Sequence, residues 1–446
     1  MRVKKSSREK EKGEYPTAIR RNWRRSRVRT LLISKADDAG TLTTLPLGLA
    51  CVGAAAEKAG HDVDFIAIGS QSNSDEIRQE IERFSPDVIG IGVRNIDDQD
   101  MQCPHFLLAS MKDVIATCRA ASRSPIVLGG AGYSIFPDSA LTYLGADIGI
   151  RGEGEEAFPA LLSWLEHGRQ LPQPPATYFP DGSHTPRTFA PSLDIFPLPE
   201  PRLWLDFPGS TELRIPVQSR RGCPLDCIYC STRAIEGRPV RWRSPESLVG
   251  WLAALRQRGF RNFHFVDNTF NLPLSYAKAL CRKLIEADLG LDWWAIIYPK
   301  WVDMELAELM ARAGCTQISL GFESGSDEMM LQLNKRFTGA EVRTISDAFA
   351  TVGIKREGFL LLGGPGETKE TVEESLEYGD SLQLDGLKIT VGLRIYPNTP
   401  LACIALTEGI ISPTDNLLLP SFYITPSLRE WLPERVASSE DLPPQV

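Results

Sequence analysis

From Arg29 to about residue 402 the chain alternates short apolar runs with amphipathic stretches, in two separate blocks. The first block reads as strands at Arg29–Lys35, Asp62–Gly69, Asp87–Val93, Pro125–Gly129 and Asp147–Arg151. Helix candidates lie between and after them at Leu47–Ala59, Ser74–Phe84, Phe106–Ala121, Asp138–Leu144 and Glu155–Glu166. The strand runs are rich in Val, Ile and Leu without polar alternation, so both faces are buried. Such strands belong to a parallel sheet with helices on each side. Five of them in this rhythm make a doubly wound, flavodoxin-like α/β domain. Ligands of such sheets sit beyond the carboxyl ends of the strands. The segments there (36–46, 94–103, 130–137 and 152–155) are rich in Gly, Asn, Asp and Thr.

The second block has strand candidates at Leu213–Ser219, Asn262–Asp267, Asp292–Tyr298, Gln317–Phe322, Lys355–Leu362 and Leu387–Arg394. Helix candidates at Pro245–Arg258, Leu274–Ala287, Asp303–Ala313, Gly339–Val352 and Glu370–Gln383 fill the gaps. Six βα units suit a partial TIM-like (β/α)6 barrel, whose active residues belong at the strand C-termini. The expected organisation is a basic, disordered tail at 1–28, the first domain at 29–167 and a proline-rich linker at 168–212 that packs across both halves. The barrel follows at 213–402 and a C-terminal extension at 403–446. In the linker, Thr177–Pro180 reads as a short edge strand; in the extension, Ile404–Ile411 reads as a helix and the end from Pro426 as loosely ordered.

Composition excludes several classes of function. Of 446 residues, 42% are hydrophobic and 24% charged, an ordinary globular balance. No apolar run approaches the ~20 residues of a membrane span. The basic N-terminus lacks an apolar core, so no secretory signal is expected and the chain reads as cytoplasmic. Nine cysteines, an odd number with three clustered, fit a reducing compartment. The other six (Cys51, Cys103, Cys118, Cys281, Cys315, Cys403) read as small buried hydrophobes. Net charge is −8, yet residues 1–29 hold twelve Lys/Arg against three Asp/Glu, which leaves −17 on the rest. An acidic body without a second basic patch argues against nucleic acid as a partner.

The chemistry is concentrated in Arg221-Gly222-Cys223-Pro224-Leu225-Asp226-Cys227-Ile228-Tyr229-Cys230. Cysteine thiolates are the usual ligands of iron–sulfur clusters. Three within eight residues, with no fourth nearby, can hold three irons of a 4Fe–4S cube, which leaves one open to an exogenous ligand. Zinc would want four ligands, commonly as two separated Cys/His pairs, and no second pair follows. This CxxxCxxC with an aromatic before its last cysteine resembles the cluster loop of the radical S-adenosylmethionine (SAM) superfamily. The resemblance implies metal ligation by Cys223, Cys227 and Cys230 and chelation of SAM at the open iron. Electron transfer to SAM then yields a 5′-deoxyadenosyl radical. It also implies SAM contacts from Tyr229 in the loop, Asp267 and Asn268 after the second barrel strand, Glu323 and Ser324 after the fourth, and Gly363 and Gly364 after the fifth. The Gly-Gly-Glu that many members carry after the second strand is replaced here by Val266-Asp267-Asn268-Thr269. Arg394-Ile395-Tyr396-Pro397 resembles the family's adenine-side strand.

The first domain resembles the cobalamin-binding domain that precedes the barrel in one large subclass of that superfamily. Pro86–Gly92, Arg94-Asn95-Ile96-Asp97-Asp98, Gly129-Gly130-Ala131-Gly132 and Arg151-Gly152-Glu153-Gly154-Glu155-Glu156 carry the resemblance. It implies cobalamin contacts from Arg94, Asn95, Gly129, Gly130, Gly152, Glu153, Gly154 and Glu155. Cobalamin domains often carry DxHxxG after the first strand, with the histidine on cobalt. This chain reads Lys35-Ala36-Asp37-Asp38-Ala39-Gly40 instead, which implies cobalamin without a histidine lower ligand. Arg94 or Asn95 is then the polar residue expected to face the metal.

Together the two halves imply methylation of an unactivated carbon, or of a phosphinate phosphorus, in a small secondary-metabolite substrate. The cluster with SAM makes the substrate radical and methylcobalamin delivers the methyl group, with flavodoxin or ferredoxin as the reducing partner. The alternative is a cobalamin-associated rearrangement, ring contraction or cyclisation without net methyl transfer. A methylthiolating tRNA enzyme would need a second set of clustered cysteines, and a non-catalytic SAM or cobalamin sensor would need no open iron. Residues that perform the chemistry on the substrate are not assigned by the sequence. Trp293, Trp294, Tyr298 and Trp301 are candidates either for the substrate cavity or for the core.

Overall fold

A computed structural model of the chain describes residues 27–35, 45–69, 74–201 and 213–437. Most of the basic tail, and the 36–44 segment where a cobalt-ligating histidine would be sought, lie outside the described residues.

The first sheet comprises β1 (Arg29–Lys35), β2 (Asp62–Ile68), β3 (Val88–Gly92), β4 (Ile126–Gly129), β5 (Ile148–Ile150) and β6 (Thr177–Tyr178). Their spatial order is β2-β1-β3-β4-β5-β6. The first five run parallel, and β6, the short edge strand from the 168–212 segment, closes the sheet antiparallel to β5. This is the flavodoxin-like order. Both faces are covered: Leu31, Ile33, Ile89, Ile91 and Leu128 pack into one core cluster, Leu32, Val88, Val127 and Ile150 into the other. Burial on both sides is why these strands read as unbroken apolar runs.

The remaining strands are β7 (Ile215–Val217), β8 (Arg220–Arg221), β9 (Arg241–Trp242), β10 (Asn262–Phe265), β11 (Asp292–Ile297), β12 (Cys315–Glu323), β13 (Lys355–Leu362), β14 (Gly386–Val391), β15 (Leu393–Arg394) and β16 (Phe422–Tyr423). Six of them form a parallel sheet in the order β14-β13-β12-β11-β10-β7. Chain neighbours are therefore spatial neighbours, and β7 and β14 remain as two separate edges among the described residues. That is a partial barrel. One set of alternating residues (Phe263, Phe265, Trp293, Ala295, Ile318, Leu320, Phe322, Leu360, Leu362) packs against the outer helices. The other set (His264, Trp294, Gln317, Ser319, Glu357) is only partly buried and faces the lumen. Several helix starts of this half are fixed by side-chain caps, including a reciprocal Thr338–Glu341 capping box ahead of Gly339–Thr351.

The two halves share one core. Ile228, Leu393, Ile395, Tyr396 and Leu401 of the barrel side pack in the same cluster as Met111, Tyr133 and Phe136 of the first domain. Across this boundary Arg394 Nε meets Asp97 Oδ2 at 2.7 Å, with the two side chains only 2% and 1% exposed. The 168–212 segment touches both halves: Ala190 N–H donates to Glu153, and the Leu193 and Phe196 carbonyls accept from Arg243.

Three expectations are corrected. Cys51, Cys118, Cys281 and Cys315 are buried, with burial pushing the Cys51 and Cys118 thiols up to about 12, but Cys103 and Cys403 are exposed. The end from Pro426 is ordered through Ala437: a helical turn and the helix Trp431–Ala437 bury Leu428 and Leu432 against the barrel core. The helix expected at Ile404–Ile411 runs instead over Pro400–Thr407, because Thr399 caps it and Pro400 suits a first helical position.

Candidate active site at the domain boundary

The cysteine loop leaves β8 at Gly222. This residue adopts φ +91°, and a Cβ there would lie 1.9 Å from the Pro239 carbonyl oxygen, so only glycine fits. Cys223 N–H donates to the Gly237 carbonyl at 3.0 Å, Ile228 N–H to Leu333 at 3.3 Å, and Leu401 N–H to Ile228 at 3.1 Å. Asp226 is held by Arg336 at 2.7 Å, which keeps its carboxyl below the usual range. All three thiols are free, Cys223 buried and Cys227 and Cys230 half-buried. Among the described residues no three Cys, His, Asp or Glu side chains are gathered at metal-ligand geometry. The fit to a cluster therefore rests on the donor set and on the anchoring of the loop at both ends.

Above the barrel, Glu323 ends β12 with φ +67° and pairs with buried Lys335 at 3.0 Å. Lys335 also sits 5.3 Å from the Tyr229 ring centroid. Burial opposes the charge of Lys335, but the adjacent Glu323 carboxylate outweighs it and holds the ammonium protonated. Tyr229, Glu323 and the cysteine loop are thus brought together. Other expected SAM contacts are already committed inside the protein. Asp267 accepts from Ser219 N–H, Ser219 Oγ and Arg220 N–H at 2.8, 2.5 and 3.0 Å, fixing the corner between β7 and β8. Ser324 is buried and bonded to Ser375 Oγ at 2.8 Å. The Gly363 and Gly364 amides both donate to Glu367, whose carboxyl burial raises to about 7. Asn268 remains beside the loop through Thr232 at 3.3 Å.

A cavity of about 410 Å³ opens between the carboxyl ends of the first sheet and the barrel. Arg94, Gly129, Gly130, Gly152, Glu153, Gly154 and Glu155 line it on one side; Pro216, Gln218, Arg221, Ile235, Glu236 and Val266 line it on the other. Its deep end is apolar, with Leu32, Val52, Ile150 and Phe158. Gly130 has φ +108°, and a Cβ there would come 2.4 Å from the Val93 carbonyl oxygen; at Gly154 it would meet Val52 at 2.6 Å. Size, apolar depth and glycine rim fit a bulky ligand with a planar apolar group. Asn95 is exposed and outside this lining.

Glu153 and Glu155 do more than line the cavity. Glu155 pairs with Arg221 through both oxygens, and Glu153 pairs with Arg241. Burial works against ionisation of Glu155, but Arg221 wins and holds its carboxyl below the usual range. The sequence reading missed Arg221, Gln218, Glu236 and Lys335. The Arg220-Arg221 pair directly before the cysteine loop was the available signal. Of the four aromatics, Trp293 is core, Tyr298 is buried, Trp301 is 42% exposed and Trp294 faces the lumen beside His264. Burial first, then Arg214 and Arg94, lower His264 to about 4, so its imidazole is neutral at pH 7.

A doubly wound domain and a partial barrel that share a cavity, next to a loop of three free thiols, define an α/β enzyme built for two large cofactors. Residues 217–379 match the radical SAM superfamily model and residues 40–162 the B12 binding domain model. The chain thus carries a B12 binding domain followed by a radical SAM domain. It is 25% identical to an uncharacterized methyltransferase of Pyrococcus horikoshii over 380 residues, covering 82% of this chain and 79% of the relative. It is 24% identical to the cytidylyl-2-hydroxyethylphosphonate methyltransferase of Streptomyces wedmorensis over 447 residues, covering 84% and 80%. The fold matches that of the radical SAM methyltransferase TsrM from Kitasatospora setae, solved with tryptophan substrate and a SAM analogue, at TM-score 0.81 and 20% identity over 93% of this chain and 89% of that one. No helix among the described residues is long and apolar enough to cross a membrane.

Proposed function

We propose that this chain is a cobalamin-dependent radical SAM methyltransferase acting on an unactivated carbon or a phosphinate phosphorus of a small, secondary-metabolite substrate. The observation that carries the reading is the cavity between the two domains, whose barrel wall is built by the residues that flank the cysteine loop. The methyltransferase names of the relatives support the same reaction class. When bound, a 4Fe–4S cluster with SAM supplies reductive cleavage of the sulfonium, and cobalamin supplies a methyl carrier.

The chain's own residues bind, orient and exclude water. Cys223, Cys227 and Cys230 are the cluster ligands in this reading. Tyr229, Asn268 and the Glu323–Lys335 pair flank SAM, while Asp267, Ser324, Gly363 and Gly364 shape its site from behind. Gly129, Gly130, Gly152 and Gly154 would let backbone approach a corrin held in this cavity, and Arg94 would be a polar side chain facing it. Glu153 and Glu155 hold the two domains together around it. Neutral His264 and Trp294 on the lumen wall give a substrate one hydrogen-bonding and one apolar surface. The domain limits 29–167 and 213–402, a cytoplasmic location, a flavodoxin- or ferredoxin-type electron donor and the absence of a nucleic-acid partner belong to the same reading.

The test is anaerobic incubation of the cluster- and hydroxocobalamin-loaded protein with SAM and a chemical reductant. The expected products from SAM are both S-adenosylhomocysteine and 5′-deoxyadenosine. Deoxyadenosine alone, with cobalamin bound, would move the reaction to rearrangement or cyclisation.

A further inference from the structure

A series of hydrogen bonds runs from the cavity to both flanks of the cysteine loop. Glu155 holds Arg221, and Arg221 Nε donates to Gln218 Oε1 at 2.8 Å. Gln218 Nε2 donates to Glu236 Oε1 at 2.9 Å. The second oxygen of Glu236 accepts from Gly222 N–H at 2.9 Å and from Asn268 Nδ2 at 2.8 Å. Asn268 Oδ1 accepts from Thr232 at 3.3 Å, and Thr232 Oγ1 accepts from Cys230 Sγ at 3.2 Å. Glu155, Arg221, Gln218 and Glu236 all line the cavity.

Resting on the two-cofactor reading above, we propose that Glu236 is a positioning residue shared by both sites. Its carboxylate sets the cysteine loop from the wall of the corrin cavity, so that filling either site tightens the other. Three donors from two segments, the 218–222 stretch that leads into the cluster loop and Asn268 after β10, converge on this one carboxylate. Gly222 directly precedes Cys223, so its N–H bond ties the Glu236 carboxylate to the first of the three cysteines. Glu236 also fixes the far end of the loop: the Glu236 carbonyl accepts from Arg241 at 2.7 Å, and Arg241 is itself paired with Glu153 of the other domain. Both glutamates of the first domain thereby reach the cluster loop, one through each end. Coupling between two binding sites is reciprocal, so each ligand must raise the affinity for the other by the same factor.

The experiment measures hydroxocobalamin affinity, by absorption, for anaerobic protein carrying the cluster and for the same protein stripped of iron. The reverse arm measures iron loss to a chelator with and without hydroxocobalamin. In the wild type, cobalamin binds about tenfold tighter with the cluster present, a usual size for coupled sites, and iron is retained correspondingly. Glu236→Gln sets an N–H against N–H donors and brings that ratio close to one, with circular dichroism unchanged. Asn268→Ala, which cuts the next link, does the same and serves if the first variant does not fold. Glu373→Gln, which loosens only the Arg435 pair between two outer helices, keeps the ratio. A tenfold ratio that survives in folded Glu236→Gln, or its loss in Glu373→Gln as well, overturns the assignment of Glu236. A wild type that binds both cofactors independently overturns the coupling itself. A wild type that binds no cobalamin overturns instead the function on which the inference rests.

Discussion

Replacing Asp97 by alanine tests how the two domains are held in place. Asp97 and Arg394 lie on different domains, are 1% and 2% exposed, and meet at 2.7 Å. At an effective dielectric of about 20 their gross attraction is about 6 kcal/mol. Arg394 keeps bonds to the carbonyls of Ile395 and Leu417 at 2.7 and 2.8 Å, so Asp97→Ala leaves a fully buried cation with dipoles but no counter-ion. Breaking one side of such a pair costs roughly 3–5 kcal/mol, about a fifth or more of an ordinary domain's stability. Urea unfolding followed by tryptophan fluorescence should show the loss as a lower midpoint, and the two halves should cease to melt together. A double replacement, Asp97→Leu with Arg394→Met, should recover part of it, because an apolar pair removes the desolvation penalty as well. A cost below about 1 kcal/mol for Asp97→Ala would refute the idea that this pair fixes the domain boundary.

Three further outcomes are expected. Cys227→Ala should abolish iron binding and deoxyadenosine formation while leaving cobalamin uptake measurable; unchanged formation would contradict the cluster assignment. Gly130→Ala, forced into φ +108° with its Cβ 2.4 Å from the Val93 carbonyl oxygen, should cost roughly 3 kcal/mol in denaturant and lower hydroxocobalamin content with iron retained. Glu367, buried and raised to about 7 from 4.5, binds its proton more tightly folded than unfolded. The folded state therefore loses stability as pH rises from about 4.5 to about 7, by roughly 3 kcal/mol in the limit of no relaxation, and nothing more above that. Glu367→Gln, neutral throughout, should match the wild type near pH 4 and exceed it near pH 8; a constant difference across that range would contradict the assignment.

The fold was legible because burial on two faces leaves a mark on each strand. Val88–Gly92 and Ile126–Gly129 are apolar throughout since helices cover both sides, and periodicity finds them to within a residue. The barrel strands were equally visible, although Leu213–Ser219 shrinks to Ile215–Val217 because Ser219 is taken by Asp267 at the corner before β8. The cysteine loop was legible for another reason: its ligands are neighbours in sequence. What escaped was whatever depends on residues far apart in the chain. Glu153 and Glu155 looked like ligand contacts at the end of β5. Only the fold brings Arg241 and Arg221, 88 and 66 residues away, against them. Asp267 and Ser324 sit where cofactor contacts were expected, but satisfying buried backbone and hydroxyl groups takes their hydrogen-bonding capacity first. Glu236, at the end of a five-residue helix, carries no local signal at all.

The most direct test of the central claim is the iron and cobalt content of the protein after anaerobic production with excess cobalamin, read by metal analysis and absorption spectrum. The account predicts about four irons and about one cobalt per chain, one cube and one corrin. Iron without cobalt would contradict it: the radical chemistry would remain, but the cavity between the domains would belong to something other than cobalamin.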